Sequence, residues 1–153
     1  MKQGFTLIEV LVAALIITMG AGGALALVQQ SLSLTSNVAF QFEASYLAQE
    51  GMEIARNIRD ANLLKIHKGN GGIWTDGLTE CEAGCQADYT QNFLGAYQDT
   101  FLQFSSGLYS YTASTDSIFK RKITVIPKED DRLEILVEVL WGERGRSNTV
   151  KAV

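Results

Sequence analysis

Apolar positions run almost without a break from Phe5 to Val28, 24 residues in which Glu9 is the one charge and Thr6 and Thr18 are neutral exceptions. Such a run makes about 36 Å of helix, enough to cross a bilayer. After Val28 the apolar positions thin to a helical period. No proline falls between Gln29 and Leu64, and helix formers dominate. At about 100° per residue, Ala44, Leu47, Ala48, Gly51, Ile54, Ala55 and Ile58 gather on one face. Gln49, Glu53, Arg56 and Asp60 lie opposite, with Glu53–Arg56 and Arg56–Asp60 spaced for side-chain pairing. The apolar face predicts packing on a sheet, and Gly51 within it predicts close approach by another backbone. Both stretches join into one predicted helix from Phe5 to about Leu64, interrupted by a breaker cluster at Gly20, Gly22 and Gly23.

The segment "HKGNGG", His67 to Gly72, ends that helix with three glycines. It precedes no Lys-Ser/Thr and follows no strand, so it is a turn and not a phosphate loop. Gly72 to Leu108 has little periodicity and predicts a long loop region with one short strand. From Leu108 the period becomes two. Leu108–Thr112 is a first strand. Phe119, Ile123 and Val125 then alternate with Lys120, Lys122 and Thr124, although Arg121 falls on the apolar side. Leu133, Ile135, Val137, Val139 and Trp141 alternate with Glu134, Leu136, Glu138 and Leu140. "PKEDDR" (127–132) and "GERGR" (142–146) are the predicted turns, and Ser147–Val153 closes the chain as a short strand. The fold class is α+β: a long amino-terminal helix packed on a small antiparallel sheet.

Composition changes this picture little. The apolar fraction is 46% and the net charge −4 over 153 residues. A basic footprint is absent, which argues against a nucleic-acid binder. No Lys or Arg occurs from Gly69 to Phe119, where six acids do: Asp76, Glu80, Glu82, Asp88, Asp99 and Asp116. They predict a solvated acidic loop region. Strand alternation splits Lys120-Arg121-Lys122 between two faces, predicting a solvated edge. Cys81 and Cys85 in "CEAGC" predict a small disulfide loop in a chain that leaves the cytoplasm, with free thiols as the alternative. Zinc would need two further ligands, and His67 is the one candidate, so no metal is expected. No histidine neighbours a cysteine, and no serine elbow or helix-borne metal motif occurs, so neither an enzyme nor a cofactor is expected.

Glu9 needs an explanation, because a carboxylate at the centre of a membrane helix costs roughly 2.5–3.5 kcal/mol. A secretory signal cut at Ala24-Leu25-Ala26 leaves the glutamate and the overlong apolar region unexplained. A plain single-span anchor explains the length alone. Cleavage after Gly4 would give Phe5 a positive amine four residues from Glu9. The acid would then be matched by such an amine on a neighbouring subunit.

The stretch Gly4-Phe5-Thr6-Leu7-Ile8-Glu9-Val10-Leu11-Val12-Ala13 resembles the class III leader junction of type IV pilins and pseudopilins. "LAQEGMEIARNIRDAN" (47–62) and the closing strands (119–150) are similar to V-type minor pilins and I-type minor pseudopilins. The resemblance implies a leader of residues 1–4, with Lys2 as its short basic part. It implies cleavage by a prepilin peptidase between Gly4 and Phe5, N-methylation of Phe5, and subunit alignment by Glu9. It further implies a half-helix at 5–28 for membrane insertion and polymerisation, and an extracytoplasmic domain at 29–153. Partners would be other pilin or pseudopilin subunits, the peptidase, an assembly ATPase, an inner-membrane platform and membrane lipid. The protein would begin as a single-pass inner-membrane protein and end in a surface filament or pseudopilus. Pilins of this family often carry a helix-weakening proline near the depth of Gly20–Gly23; this chain has glycines there, available for unwinding or for small-residue helix packing. The competing readings are a pseudopilin of secretion or DNA uptake, a membrane-tethered binding domain that never polymerises, and a binding protein released after Ala26.

Overall fold

The computed structural model describes residues 4, 6–112, 115–143 and 145–153. They fall in two compact units, Met1–Phe40 and Gln41–Val153. One helix, α1 (Leu7–His67, 61 residues), contributes to both. In the first unit it is long and apolar enough to cross a membrane, and its large apolar side chains are exposed, Leu7 and Met19 among them. The expected interruption at Gly20, Gly22 and Gly23 is absent: α1 continues through all three. Glycine weakens a helix without removing a hydrogen bond, and good helix formers flank these positions.

α1 ends three residues later than Leu64, at His67. Gly69 adopts a left-handed backbone (φ 76°). Its N–H donates to Ile66 O (3.0 Å), and Asn70 N–H donates to Lys65 O (3.1 Å). This pair of bonds is the Schellman closure, which satisfies carbonyls that the last turn leaves open. Lys65 and His67 in that turn face the negative end of the helix dipole.

In the second unit the strands are β1 (Cys85–Gln86), β2 (Gly95–Ala96), β3 (Gln103–Ser105), β4 (Leu108–Ser110), β5 (Phe119–Lys128), β6 (Arg132–Glu143) and β7 (Arg146–Ala152). Five form an antiparallel sheet in the order β2-β1-β5-β6-β7; β3 and β4 form a separate hairpin. The expected single short strand in 72–108 is therefore three (β1, β2 and β3). Leu108–Thr112 is shorter than expected and lies outside the main sheet. Two-residue strands carry too little periodicity to stand out from a loop. Ser106 (φ 52°) and Gly107 (φ 86°) form the two-residue hairpin turn, where both positions need positive φ.

β5 and β6 pair without a bulge from Phe119↔Trp141 to Lys128↔Arg132. Pro127 thus belongs to β5 and not to the turn. β1 reaches β5 at Ile123, so no strand pairs on the far side of β5 at Pro127 and its missing N–H breaks no ladder. The turn shortens to 129–131, with Asp130 and Asp131 left-handed, a conformation Asp tolerates.

Every residue of the expected helix face is buried, from Ala44 to Ile58. Opposite it lie Phe119, Ile123 and Val125 of β5, and Val137, Val139 and Trp141 of β6. Gly51 does face a close approach, but from side chains and not from backbone. A Cβ there would sit 2.8 Å from Val137 Cγ1 and 3.1 Å from Arg121 Cδ. An aromatic series, Phe104–Tyr109–Phe119–Trp141, runs from the hairpin into the core with ring centroids 5.0, 6.2 and 6.1 Å apart. Beyond the helix, Asn62 Nδ2 donates to Trp74 O (3.3 Å) and Asp76 O (2.8 Å), and Trp74 Nε1 donates to Asp131 Oδ2 (3.2 Å). These bonds tie the loop after α1 both to the helix and to the β5–β6 turn.

Candidate functional site

At the amino terminus Gly4 is exposed, while Lys2 and Phe5 lie outside the described residues. Thr6 is the helix cap. Its carbonyl accepts from Val10 N–H (3.3 Å), and its Oγ1 accepts from Glu9 N–H (3.3 Å). Thr6-x-x-Glu9 therefore has the spacing of a capping box, with Glu9 three residues past the cap. Its carboxylate belongs to the first turn, where the helix dipole favours negative charge. This spacing was present in the sequence, and attention to membrane burial alone overlooked it. Glu9 is exposed in the single chain.

The family model of the prokaryotic N-terminal methylation motif matches residues 1–25. The amino-terminal segment thus carries a prepilin-type motif, which supports a place among type IV pilins and pseudopilins. No curated protein and no solved structure gives a significant match. The motif supports processing by a prepilin peptidase and, with the apolar helix, membrane anchoring, and it points to a structural subunit that assembles with pilin-type partners.

Within the second unit, helix and sheet are tied together by a residue that the sequence pattern assigned to a solvated edge. β5 is central in the sheet, and Arg121 is 0% exposed. Its Nη1 donates to Leu47 O (3.1 Å) and pairs with Glu50 Oε2 (3.2 Å), both on α1. Its Nη2 donates to Ala87 O (2.7 Å), next to β1. Tyr111 Oη donates to Arg121 O (3.2 Å). One guanidinium thus joins helix, sheet and loop, a task suited to its fixed fork of donors. Its place on the apolar side of an otherwise alternating strand was the available signal.

Asp88 also departs from the expected solvated acidic region, being 0% exposed. It accepts from Thr90 Oγ1 (2.6 Å), Thr90 N–H (2.9 Å) and Tyr111 N–H (2.7 Å). Burial alone would raise its pKa. The Thr90 hydroxyl, the Tyr111 and Thr90 amides and the Arg121 charge outweigh that, holding the carboxyl below its ordinary 3.8. Burial likewise dominates at Tyr111, whose phenol is pushed up to about 12. Asp99 is not free either: it pairs with Lys120 Nζ (2.9 Å), which lies over the Phe101 ring (4.7 Å to the centroid).

Cys81 and Cys85 are joined in a disulfide with Cα atoms 5.2 Å apart, and both are buried. Cys81 O accepts from Val125 N–H (3.2 Å), so the small ring extends the β1 side of β5. Ala87, two residues past Cys85, is the carbonyl that receives Arg121. Helix pairing also differs in detail from the spacing argument. Arg56 pairs with Glu53, but Asp60 pairs with Arg59 at 2.8 Å and not with Arg56. Tyr109 Oη donates to Glu43 Oε1, binding the β3–β4 hairpin to α1. Burial first, and that bond second, push the Tyr109 phenol well above its usual range. Among the described residues no group of three or more His, Cys, Asp or Glu side chains is placed to hold a metal.

Proposed function

We propose that this chain is a minor subunit of a type IV pilus or of a closely related pseudopilus. The peptidase cuts between Gly4 and Phe5 and methylates the Phe5 amine, and Glu9 aligns the subunit against the amine of its neighbour. Residues 5–28 anchor the chain in the inner membrane with the remainder outside the cytoplasm, until the platform and its ATPase draw the subunit into the filament. Its work is structural and not catalytic. The observation that carries this reading is the methylation motif at the start of a helix whose membrane-length apolar stretch is unburied in the single chain. An uncovered apolar helix needs either lipid or other subunits around it.

Mass spectrometry of the N-terminal peptide from the native host tests the reading. The expected species begins at Phe5 with one methyl group on its amine. A mature start at Leu27 would support the secretory reading, and an intact Met1 the plain anchor; either overturns this proposal.

A further inference from the structure

Just past the end of α1 stands the one Asn-Gly pair of the sequence, Asn70-Gly71. Both residues are exposed. Among the described residues, neither the Asn70 side chain nor the Gly71 N–H has a hydrogen-bond partner. Gly71 has a left-handed backbone (φ 71°), and nothing lies within 4 Å of the place a Cβ would take. Fixed points flank the pair: Asn70 N–H is bonded to Lys65 O (3.1 Å), and Ile73 N–H to Asp76 Oδ2 (3.2 Å). Between them Gly71 and Gly72 carry no side chain and belong to no helix or strand, so the backbone between the anchors is free to rotate.

We infer that Asn70 is a site of self-modification, where the Gly71 backbone nitrogen attacks the Asn70 side-chain amide and converts residue 70 to aspartate and isoaspartate. The Gly71 nitrogen gives its proton to hydroxide and bonds to Asn70 Cγ, closing a five-membered succinimide ring. The Cγ–Nδ2 bond breaks, and ammonia leaves with a proton taken from water. Water then adds to one of the two ring carbonyls. Opening at Cγ gives an ordinary aspartate. Opening at the Asn70 main-chain carbonyl leaves the chain running through Cγ, which is isoaspartate. Attack needs a nitrogen free of hydrogen bonding and of crowding by its own side chain, and Gly71 meets both conditions. The other asparagines precede Val38, Ile58, Leu63, Phe93 and Thr149, whose side chains crowd the nitrogen. Asp76-Gly77 presents a carboxylate, a poorer electrophile than an amide, and Asp76 is held at its side chain by Ile73 N–H and at its carbonyl by Asn62. Each event at residue 70 places a negative charge beside the negative end of the α1 dipole. The isoaspartyl product also lengthens the backbone between the two anchors. The reaction consumes only water, so the product accumulates with the age of the chain, whether or not it enters a filament.

The test holds the full-length chain in detergent micelles at neutral pH in water enriched in heavy oxygen. The peptide containing residue 70 is followed over days by mass spectrometry, and isoaspartate is counted by enzymatic methylation. The expected product carries one heavy oxygen, has more isoaspartate than aspartate, and forms faster as pH rises. Its rate in the folded chain should lie within about threefold of the rate in a free peptide spanning residues 67–74, because the local backbone is not locked. Gly71→Ala should slow the reaction at least tenfold, since a Cβ crowds the nitrogen and resists the left-handed backbone. Asn70→Gln leaves the backbone as it is, but its amide must close a slower six-membered ring, and it should slow the reaction as much. A folded-chain rate more than tenfold below that of the peptide overturns the proposal. So does aspartate formed without isoaspartate, which is direct hydrolysis, or an unchanged rate in either variant.

Discussion

Gly51→Ala tests the packing of helix on sheet, because two effects of similar size oppose each other there. In a bare helix, replacing glycine with alanine stabilises by about 1 kcal/mol. Here the new methyl would lie 2.8 Å from Val137 Cγ1, 3.4 Å from Val137 Cγ2 and 3.1 Å from Arg121 Cδ. Val137 is 0% exposed and held between β5 and β7, and a β-branched side chain has one comfortable rotamer to offer. Arg121 cannot swing aside without releasing Leu47 O, Glu50 and Ala87 O. Overpacking of this kind costs roughly 2–3 kcal/mol, so the net effect is a loss of about 1–2 kcal/mol. That corresponds to a fall in Tm of roughly 3–8 °C. Thermal unfolding of the full-length chain in detergent micelles, followed by tryptophan fluorescence, measures it, since Trp141 sits in the same core. Val137→Ala alone should cost about 2–3 kcal/mol, but in the Gly51→Ala background about 1–2 kcal/mol less, because the added methyl occupies the vacated space. A Gly51→Ala protein that melts higher than wild type refutes the packing, as does strict additivity with Val137→Ala.

Asp88 has a depressed folded-state pKa, so its contribution is complete above the unfolded value near 3.8 and is lost as pH falls through the lower folded value. Asp88→Asn should therefore be less stable than wild type at pH 6, and the gap should narrow as pH falls below about 4 in urea titrations. Cys81→Ser with Cys85→Ser should lower stability by about 2 kcal/mol, the loop-closure value for so short a ring. Peptide mapping without reductant should recover the bonded pair from wild type. Glu9→Val should leave processing and membrane insertion intact while reducing recovery of the tagged subunit in sheared filaments.

The parts of this fold that were legible in the sequence are those with long, uniform periods. The helix face from Ala44 to Ile58 and the alternation along β5 and β6 could be read because each side chain faces one environment for many residues. The short strands could not, since β1 is held by the disulfide loop and a single pairing to β5, and β2 by two pairings to β1, not by a pattern of their own. Arg121 was misplaced for a related reason. A lone charge among solvated lysines looks solvated, unless its partners are known, and those partners are two carbonyls and a glutamate lying 34 to 74 residues away. Asp88 was hidden in the same way, its burial made tolerable by backbone amides that carry no sequence signature. At the amino terminus the methylation motif was legible because it is a short local pattern, whereas the helix cap at Thr6, equally local, went unread beside the question of membrane burial.

Two accounts of Glu9 remain physically distinct, and one substitution separates them. In the capping account, the acid serves its own helix: it follows Thr6 at capping-box spacing and faces the positive end of the dipole, effects worth about 0.3–1 kcal/mol. In the pairing account, its charge meets the Phe5 amine of an adjoining subunit and the benefit exists only in the assembly. A position in the first turn already lowers the burial penalty below the roughly 2.5–3.5 kcal/mol of a mid-membrane carboxylate, so a monomer tolerates the residue better than its apolar surroundings imply. Tolerance is not a reason to keep a charge, however, because glutamine serves the capping box as well as glutamate does. Glu9→Gln therefore keeps the cap and removes the ion. With pairing, Glu9→Gln should fall out of sheared filaments as far as Glu9→Val, while both remain cleaved and membrane-bound. Quantitative blotting of the tagged subunit in sheared and cell fractions reads this directly. Recovery of Glu9→Gln at the wild-type level, with Glu9→Val depleted, would leave Glu9 as a helix cap and remove the charge match from the assembly mechanism.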